Sequence, residues 1–182
     1  MSEIKSDSTP HGPAGKQLWN PPAPGGASGR SAEVRSTYER VAGRYDRYWR
    51  RLWLRVAGGA AERVMLEAVL RAAAHPVRPV VLDAGAGTGD LSRHLAQARP
   101  DVHPVLVDIS PGMLARAGDL NDPRAVASVD ALPFRDDTFD VVMSGWVIET
   151  VDDPFAAVAE MLRVNRTGFS GDSVVGRRRS RC

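Results

Sequence analysis

The stretch Val80–Asp90, which reads VVLDAGAGTGD, predicts a strand, a tight turn and the start of a helix. Its first three residues are apolar, which is typical of a strand buried on both faces in the middle of a parallel sheet. Glycines then alternate at Gly85, Gly87 and Gly89, where they allow backbone angles closed to other residues and leave room for a ligand. The helical pattern LSRHLAQA follows, and the N–H groups of its first turn would face that ligand. The stretch therefore predicts an α/β fold with a ligand at this turn.

Two kinds of ligand, and a turn with no ligand at all, compete for this loop. The dinucleotide fingerprint is G-x-G-x-x-G, but the position three after Gly87 is Asp90, and the last glycine comes one place early. A carboxylate at this helix N-terminus would repel a pyrophosphate. Short glycine motifs also occur in turns that are purely structural, so the loop by itself leaves these alternatives open.

Asp83 stands directly before the turn and gives the pattern D-x-G-x-G-x-G, which resembles motif I of the class I S-adenosylmethionine-dependent methyltransferases. Their cofactor carries an amino-acid end and a sulfonium instead of a pyrophosphate, so carboxylates nearby are favourable. The resemblance implies a Rossmann-like parallel sheet with flanking helices and S-adenosylmethionine as the cofactor. It assigns cofactor contacts to the following residues of the loop: Asp83, Gly85, Ala86, Gly87 and Gly89.

A second strand end carries the next acid. Val105 to Val107 is a buried apolar run, and Asp108 follows it, 23 residues beyond Gly85. In this kind of fold an acid about twenty residues past the loop hydrogen-bonds the ribose hydroxyls of an adenosine ligand. Ile109 and Met113 would place apolar surface against the adenine. Ser110 and Pro111 have the pattern of an N-cap and a first helical residue.

A third strand, predicted over Ala125 to Val129, ends in Asp130 and Ala131, and LPFRDDTFDVVMSGW follows. This segment resembles the part of the family in which the acid after strand three binds the adenine amino group. The resemblance gives Asp130 that role, includes Ala131 and Ser144 in the site, and implies a fourth strand over Phe139 to Ser144. Three strand-end motifs in order and at family spacing favour the methyltransferase interpretation, because independent motifs in context reinforce one another.

Residues 31–75 are predicted to form two N-terminal lid helices. Ser36 and Glu39 have capping-box spacing, and YERVAGRYDRYW resembles the lead-in of the ubiquinone/menaquinone-biosynthesis group, where such a helix lies over the cofactor. Tyr38 and Tyr45 are the matching cofactor contacts, although aromatic residues on a helix face more often pack into the core. Trp49 lies among arginines that could meet a membrane surface, but a solvated arginine face is the commoner case.

Composition and charge limit the number of domains, the cellular compartment and the kinds of partner. The chain has 182 residues, 43% of them hydrophobic and 25% charged, which is ordinary for one globular domain. We expect a cytoplasmic protein, because the sequence shows no secretory signal and its single cysteine, Cys182, cannot form an internal disulfide. Residues 76–165, the predicted cofactor-binding core, hold 14 acidic and 7 basic residues, which argues against a nucleic-acid partner. No metal site is expected.

Both ends of the chain depart from the core pattern. Residues 1–30 are rich in proline and glycine and are predicted to be a disordered tail. The resemblance stops near Val164, where the family continues into strand five, and residues 166–182 read as a basic tail. Strands five to seven would then be missing, and strand four would be an apolar edge.

Two functions are consistent with this sequence. The first is methyl transfer from S-adenosylmethionine to a small-molecule acceptor, with Trp146 and Glu149 on the acceptor side. The reaction needs no covalent nucleophile, none is evident, and the general base is not identified. The alternative is a truncated, catalytically inactive fragment that still binds the cofactor.

Overall fold

A computed structural model describes residues 29–44, 59–74, 78–120 and 122–166. Within these ranges the elements alternate between strands and helices after two N-terminal helices. They are α1 (Gly29–Arg44), α2 (Gly59–Ala72), β1 (Val81–Ala84), α3 (Asp90–Ala98), β2 (Val105–Asp108), α4 (Pro111–Arg116), β3 (Arg124–Val126), β4 (Val141–Met143), a 3₁₀ turn (Ile148–Thr150) and α5 (Pro154–Val164).

The four strands form one parallel sheet in the order β3-β2-β1-β4. Leu82 in β1 pairs with Val105 on one side and with Val142 on the other. All four residues of β1 are buried, as expected for a strand with a neighbour on each side and helices over both faces. The predicted Rossmann-like parallel sheet is therefore confirmed.

Helices cover both faces of this sheet. On one face, Leu82 and Val142 pack in a cluster with Ala157 and Met161 of α5. On the other face, Val81 packs in a cluster with residues of α2 and α3 that include Met65, Val69, Leu91 and Leu95. A smaller cluster joins Leu106 of β2 to Leu114 and Ala117 at α4. The strands are thus held between two apolar layers, and only their ends are open to a ligand.

The outer edge of β4 has a partner within the described residues. Phe139, just before β4, forms a parallel bridge with Asn165 at the end of α5, and the Arg166 N–H donates to the Phe139 carbonyl at 2.7 Å. The Arg166 guanidinium also binds the Asp140 carboxylate at 2.6 Å. Arg166, which the sequence assigns to the basic tail, is therefore attached to the core. The remainder of the predicted tail, 167–182, lies outside the described residues.

Several predicted boundaries shift by a few residues. The third strand was expected over Ala125 to Val129 but covers Arg124–Val126, because its partner β2 ends at Asp108 and the chain turns where the Ala131 N–H donates to the Ser128 carbonyl. The fourth covers Val141–Met143 and is shorter than expected at both ends; before it, the Asp140 carboxylate accepts from the Val80 N–H at 3.0 Å. The first extends through Asp83 to Ala84.

The N-terminal predictions are tested only in part. α1 begins at Gly29, so the last two residues of the predicted tail are helical. The capping-box prediction is wrong, because Ser36 lies well inside α1 and its hydroxyl donates to the Glu33 carbonyl at 3.0 Å. The rest of the predicted tail, and the segment 45–58 that contains Tyr45 and Trp49, lie outside the described residues.

We expect Phe139→Ala to lower the free energy of unfolding by about 3–5 kcal/mol, the usual cost of emptying a buried aromatic site. The Phe139 side chain is fully buried, and its ring meets that of Phe134 edge-on with centroids 4.9 Å apart. Phe155 is the matched control, because its side chain is 87% exposed. Phe155→Ala should change stability by less than about 0.5 kcal/mol in urea unfolding, and equal losses in the two variants would contradict this core assignment.

Candidate functional site

A cavity of about 740 Å³ lies at the carboxyl ends of the strands. Its walls are the glycine loop after β1, the residues that follow β2, β3 and β4, and the two N-terminal helices. In an open parallel sheet this is where ligands bind, outside the carboxyl ends and beside the point where the strand order reverses. The chain crosses from β1 to β2 on one side of β1 and later returns to β4 on the other, so the cavity lies at that reversal.

The three glycines of the loop have different roles, although all three have positive φ angles. A Cβ at Gly85 would collide with the Val147 side chain, and one at Gly89 would lie 2.9 Å from Ala117. These two glycines therefore allow the chain to pack against itself. A Cβ at Gly87 would meet only the Met113 Cε, at 3.6 Å, so Gly87 is where the missing side chain leaves space at the cavity.

Asp108 connects the glycine loop to the start of α4. Its Oδ2 accepts from the Gly87 N–H at 2.8 Å, and its Oδ1 accepts from the Ser110 N–H at 2.9 Å. Burial raises the pKa of Asp108, while the two backbone hydrogen bonds oppose that rise. Each carboxylate oxygen accepts one of these bonds and has a second lone pair. The carboxylate lines the cavity and can accept from a pair of hydroxyls, as adjacent ribose hydroxyls require.

Asp83 is more deeply buried than its position before the loop suggests. It lies inside β1, is 2% exposed, and accepts a hydrogen bond from the Ser92 hydroxyl at 2.7 Å. Burial raises its pKa to about 7, with smaller contributions from Asp108 and Asp90. Asp83 borders the cavity, so a cation bound there would lower the cost of ionising it.

Helix α1 forms one wall of the cavity, and Glu39 attaches this helix to the start of α4. The Glu39 Oε1 accepts from the Ser110 hydroxyl at 2.8 Å and from the Gly112 N–H at 2.9 Å. These two bonds lower the pKa of Glu39. Ser110 also caps α4 through the Met113 N–H, which confirms the predicted N-cap. Sequence reasoning missed the contact of Glu39 with α4, since no local motif pairs residues 71 positions apart.

Tyr38 lies on the same helix and lines the cavity. Burial raises its pKa, and the negative charges of Asp108 and Glu149 add to the effect. Its hydroxyl therefore stays protonated near neutral pH and can donate a hydrogen bond. A phenolate base at this position is disfavoured.

The segment after β4 forms the opposite wall. Trp146 has a left-handed backbone with φ of 61° and is 49% exposed, although it is not a glycine. Such conformations cost energy and cluster at functional sites. Trp146 and Glu149 both line the cavity, and their place on the acceptor side stays a prediction.

The structure brings eight of the predicted cofactor contacts together around this cavity: Tyr38, Asp83, Gly85, Ala86, Gly87, Asp108, Ile109 and Met113. Four others do not line it. Gly89 packs against α4, Asp130 and Ala131 lie in the turn just beyond the lining residue Val129, and Ser144 is buried next to the lining residue Gly145. Their cofactor contacts stay predictions, as does that of Tyr45, which lies outside the described residues.

Charge distinguishes between the ligands that the sequence left open. The described lining contains five acids and no lysine, arginine or histidine: Glu62, Asp83, Asp90, Asp108 and Glu149. A pyrophosphate would meet only like charge from these side chains, whereas a sulfonium and an ammonium would meet opposite charge. The parallel sheet, the glycine loop and this lining define a Rossmann-like domain whose cavity favours a cationic ligand over a pyrophosphate.

Comparison with known proteins leads to the same class. A family model described as a methyltransferase domain matches residues 82–168. A demethylmenaquinone methyltransferase of Roseiflexus castenholzii is 36% identical over 135 residues, which cover 66% of this chain and 57% of that protein. A malonyl-[acyl-carrier protein] O-methyltransferase of Halorhodospira halophila is 38% identical over 138 residues, covering 72% and 43%. These matches support a class I S-adenosylmethionine-dependent methyltransferase fold over residues 82–168, and the chain spans about half the length of the curated relatives it matches.

Solved structures support the fold. A methyltransferase of Thermotoga maritima, described as a possible histamine N-methyltransferase, superposes with a TM-score of 0.54 at 25% identity, covering 74% of this chain and 58% of that one. The magnesium protoporphyrin IX methyltransferase of Synechocystis, solved with bound S-adenosylmethionine, gives a TM-score of 0.61 at 20% identity, covering 78% and 74%. Among the described residues, no helix has the length and apolar character needed to cross a membrane.

We expect Asp83→Asn to gain stability relative to the wild type as pH rises. The folded pKa of about 7 lies above the ordinary 3.8, so in that interval the unfolded chain ionises while the folded chain keeps its proton. Wild-type stability is therefore lost as pH increases. The free energy of unfolding of the variant minus that of the wild type should increase by about 3 kcal/mol between pH 5 and pH 8. Urea unfolding at several pH values measures it, and a constant difference would contradict the raised pKa.

We expect Glu39→Ala to loosen α1 from α4, because it removes the acceptor of the Ser110 and Gly112 bonds. Amide hydrogen exchange in α1 should become faster while exchange in β1 stays unchanged. Glu33→Ala is the control, since Glu33 is exposed on the same helix. If the two variants exchange alike, Glu39 does not hold this helix in place.

Proposed function

We propose that this protein binds S-adenosylmethionine in the cavity at the strand ends and transfers its methyl group to a small-molecule acceptor. The observation that carries the proposal is the Asp108 carboxylate, which the Gly87 and Ser110 N–H groups hold in the wall of an acidic cavity. The similarity to methyltransferases over residues 82–168 supports it. Asp83, Gly87, Ile109 and Met113 complete the proposed cofactor contacts within that cavity.

The residues present fit this cofactor chemically. A ribose needs an acceptor pair, which Asp108 offers, and the adenine needs apolar surface, which Ile109 and Met113 offer at the same side. The buried acid Asp83 and its neighbours favour positive charge. When bound, the cofactor supplies a methyl group already activated on a sulfonium.

The protein's own contribution is positioning and the exclusion of water. Tyr38, on the lid helix, can donate a hydrogen bond into the cavity, and its raised pKa keeps that proton in place. Trp146 offers an aromatic surface on the acceptor side, fixed by its left-handed backbone. Glu149 is the acid nearest in sequence to this surface that could accept a proton from an acceptor.

The acceptor class follows from the same charges. The two relatives described above act, by their names, on a demethylmenaquinone and on malonyl-[acyl-carrier protein]. An uncharged or cationic acceptor fits the described lining better than a free carboxylate, because Glu149 lines the cavity on the proposed acceptor side. We therefore propose a neutral or cationic small molecule and no nucleic acid.

S-adenosylhomocysteine should bind the wild-type chain, and NAD should not. Asp108→Ala should weaken S-adenosylhomocysteine binding at least about tenfold, because it removes a charged hydrogen-bond acceptor. Asp101→Ala is the control, since Asp101 is an exposed acid before β2, near the amino ends of the strands and not among the residues that line the cavity. Isothermal titration calorimetry measures all of these affinities, with thermal unfolding curves to show that each variant is folded.

Preference for NAD, or equal affinity of the folded Asp108→Ala and wild-type chains, would contradict the proposed site. Turnover is tested with the same proteins, by methyl transfer to panels of neutral, cationic and carboxylate acceptors. Transfer restricted to the carboxylates would contradict the proposed acceptor class. Binding without transfer to any acceptor would favour the alternative of a cofactor-binding chain without activity.

A further inference from the structure

Glu62, on α2, lines the cavity on the wall that this helix forms. Its neighbour in the helix, Met65, reaches Gly145 just after β4, since a Cβ added at Gly145 would lie 3.1 Å from the Met65 Cε. β4 and β2 flank β1 on opposite sides, and two strand spacings correspond to about 10 Å. Asp108 at the end of β2 and the wall formed by α2 beside β4 therefore lie on different sides of β1.

A histidine of the neighbouring helix holds Glu62 in place. The Glu62 Oε1 lies 2.6 Å from the His94 Nδ1 of α3, and the Glu62 side chain is only 15% exposed. This contact fixes one oxygen of the carboxylate. The second oxygen has no partner among the described residues and lies on a side chain that lines the cavity.

Two other acids of the cavity wall are bound to partners within the protein. Asp83 accepts from the Ser92 hydroxyl, and Asp90 pairs with the Arg93 guanidinium at 2.9 Å. A buried carboxylate that keeps its charge needs a donor or a cation. Glu62 has one such partner in His94 and room for another from a ligand.

We propose that Glu62 binds the ammonium group of the amino-acid end of S-adenosylmethionine, with His94 as its positioning residue. The inference rests on the proposed function, which places the ribose at Asp108. The remainder of the cofactor then extends past β1 toward β4, where Glu62 and Met65 form the wall. No sequence motif marks this residue, and its role depends on α2 packing against α3.

Two ligands separate this role from a general effect on the site. S-adenosylhomocysteine carries the amino-acid end, whereas 5′-methylthioadenosine has the adenosine and the sulfur but lacks that end. Glu62→Gln should weaken S-adenosylhomocysteine binding about tenfold, the usual effect of losing a charged hydrogen bond. It should change 5′-methylthioadenosine binding less than about twofold, because that ligand does not reach Glu62.

Glu67→Gln is the matched control, since Glu67 lies on the same helix with its side chain 67% exposed and paired with Arg71. It should leave both affinities unchanged. His94→Leu should weaken S-adenosylhomocysteine binding alone, and His94→Gln, whose amide can still donate to Glu62, should restore most of it. Thermal unfolding curves confirm that every variant is folded.

The outcomes distinguish the inference from the function on which it rests. If the wild-type chain binds both ligands and Glu62→Gln weakens both equally, or neither, the inference is overturned and the proposed function stands. If the wild-type chain binds neither ligand, the proposed function fails and the inference fails with it. If Glu62→Gln selectively weakens the binding of S-adenosylhomocysteine, that result supports both the inference and the proposed function.

Discussion

The two hydrogen bonds that the Asp108 carboxylate accepts are the constraint on which the site depends. One comes from Gly87 in the loop after β1, and the other from Ser110 at the start of α4. The loop is fixed further because the N–H groups of Gly85 and Ala86 both donate to the Val107 carbonyl. The glycine loop, the end of β2 and the start of α4 therefore form one rigid corner. Glu39 attaches α1 to that same corner through Ser110 and Gly112.

Negative charge gathered around the cavity is the second organising feature. Burial raises the pKa of Asp83 and of Asp108, so both carboxylates are harder to ionise than usual in the empty site. Bound positive charge would relieve this cost, because an opposite charge nearby favours the ionised form. The same arrangement that lowers the stability of the protein alone therefore favours a cationic ligand. Binding sites commonly lower the stability of a protein in this way, because the groups that bind the ligand are unfavourable without it.

The side of the sheet beyond β4 is held by arginines. Arg163 of α5 binds Glu160 and Asp136 and donates to the carbonyls of Phe134 and Leu132, which keeps the segment before β4 against the helix. Arg166 binds Asp140 and the Thr138 carbonyl. These contacts and the Phe139–Asn165 bridge show that parallel pairing begins at the outer edge of β4. The apolar edge expected from the sequence is thus partly covered within the described residues.

The sequence by itself determined the α/β parallel fold, the position of Asp108 at a strand end and the Ser110 cap of α4. These features depend on periodicity and on contacts between residues close in the chain, so they can be read without coordinates. Only the tertiary structure decided that a side chain at Gly85 or Gly89 would collide with the protein while Gly87 leaves space at the cavity, that Glu39 attaches α1 to α4, and that Glu62 lines the cavity. Glu39 meets Ser110 across 71 residues, and Glu62 meets His94 across 32. Contacts at such separations arise from how the helices pack on the sheet, and no local pattern encodes them.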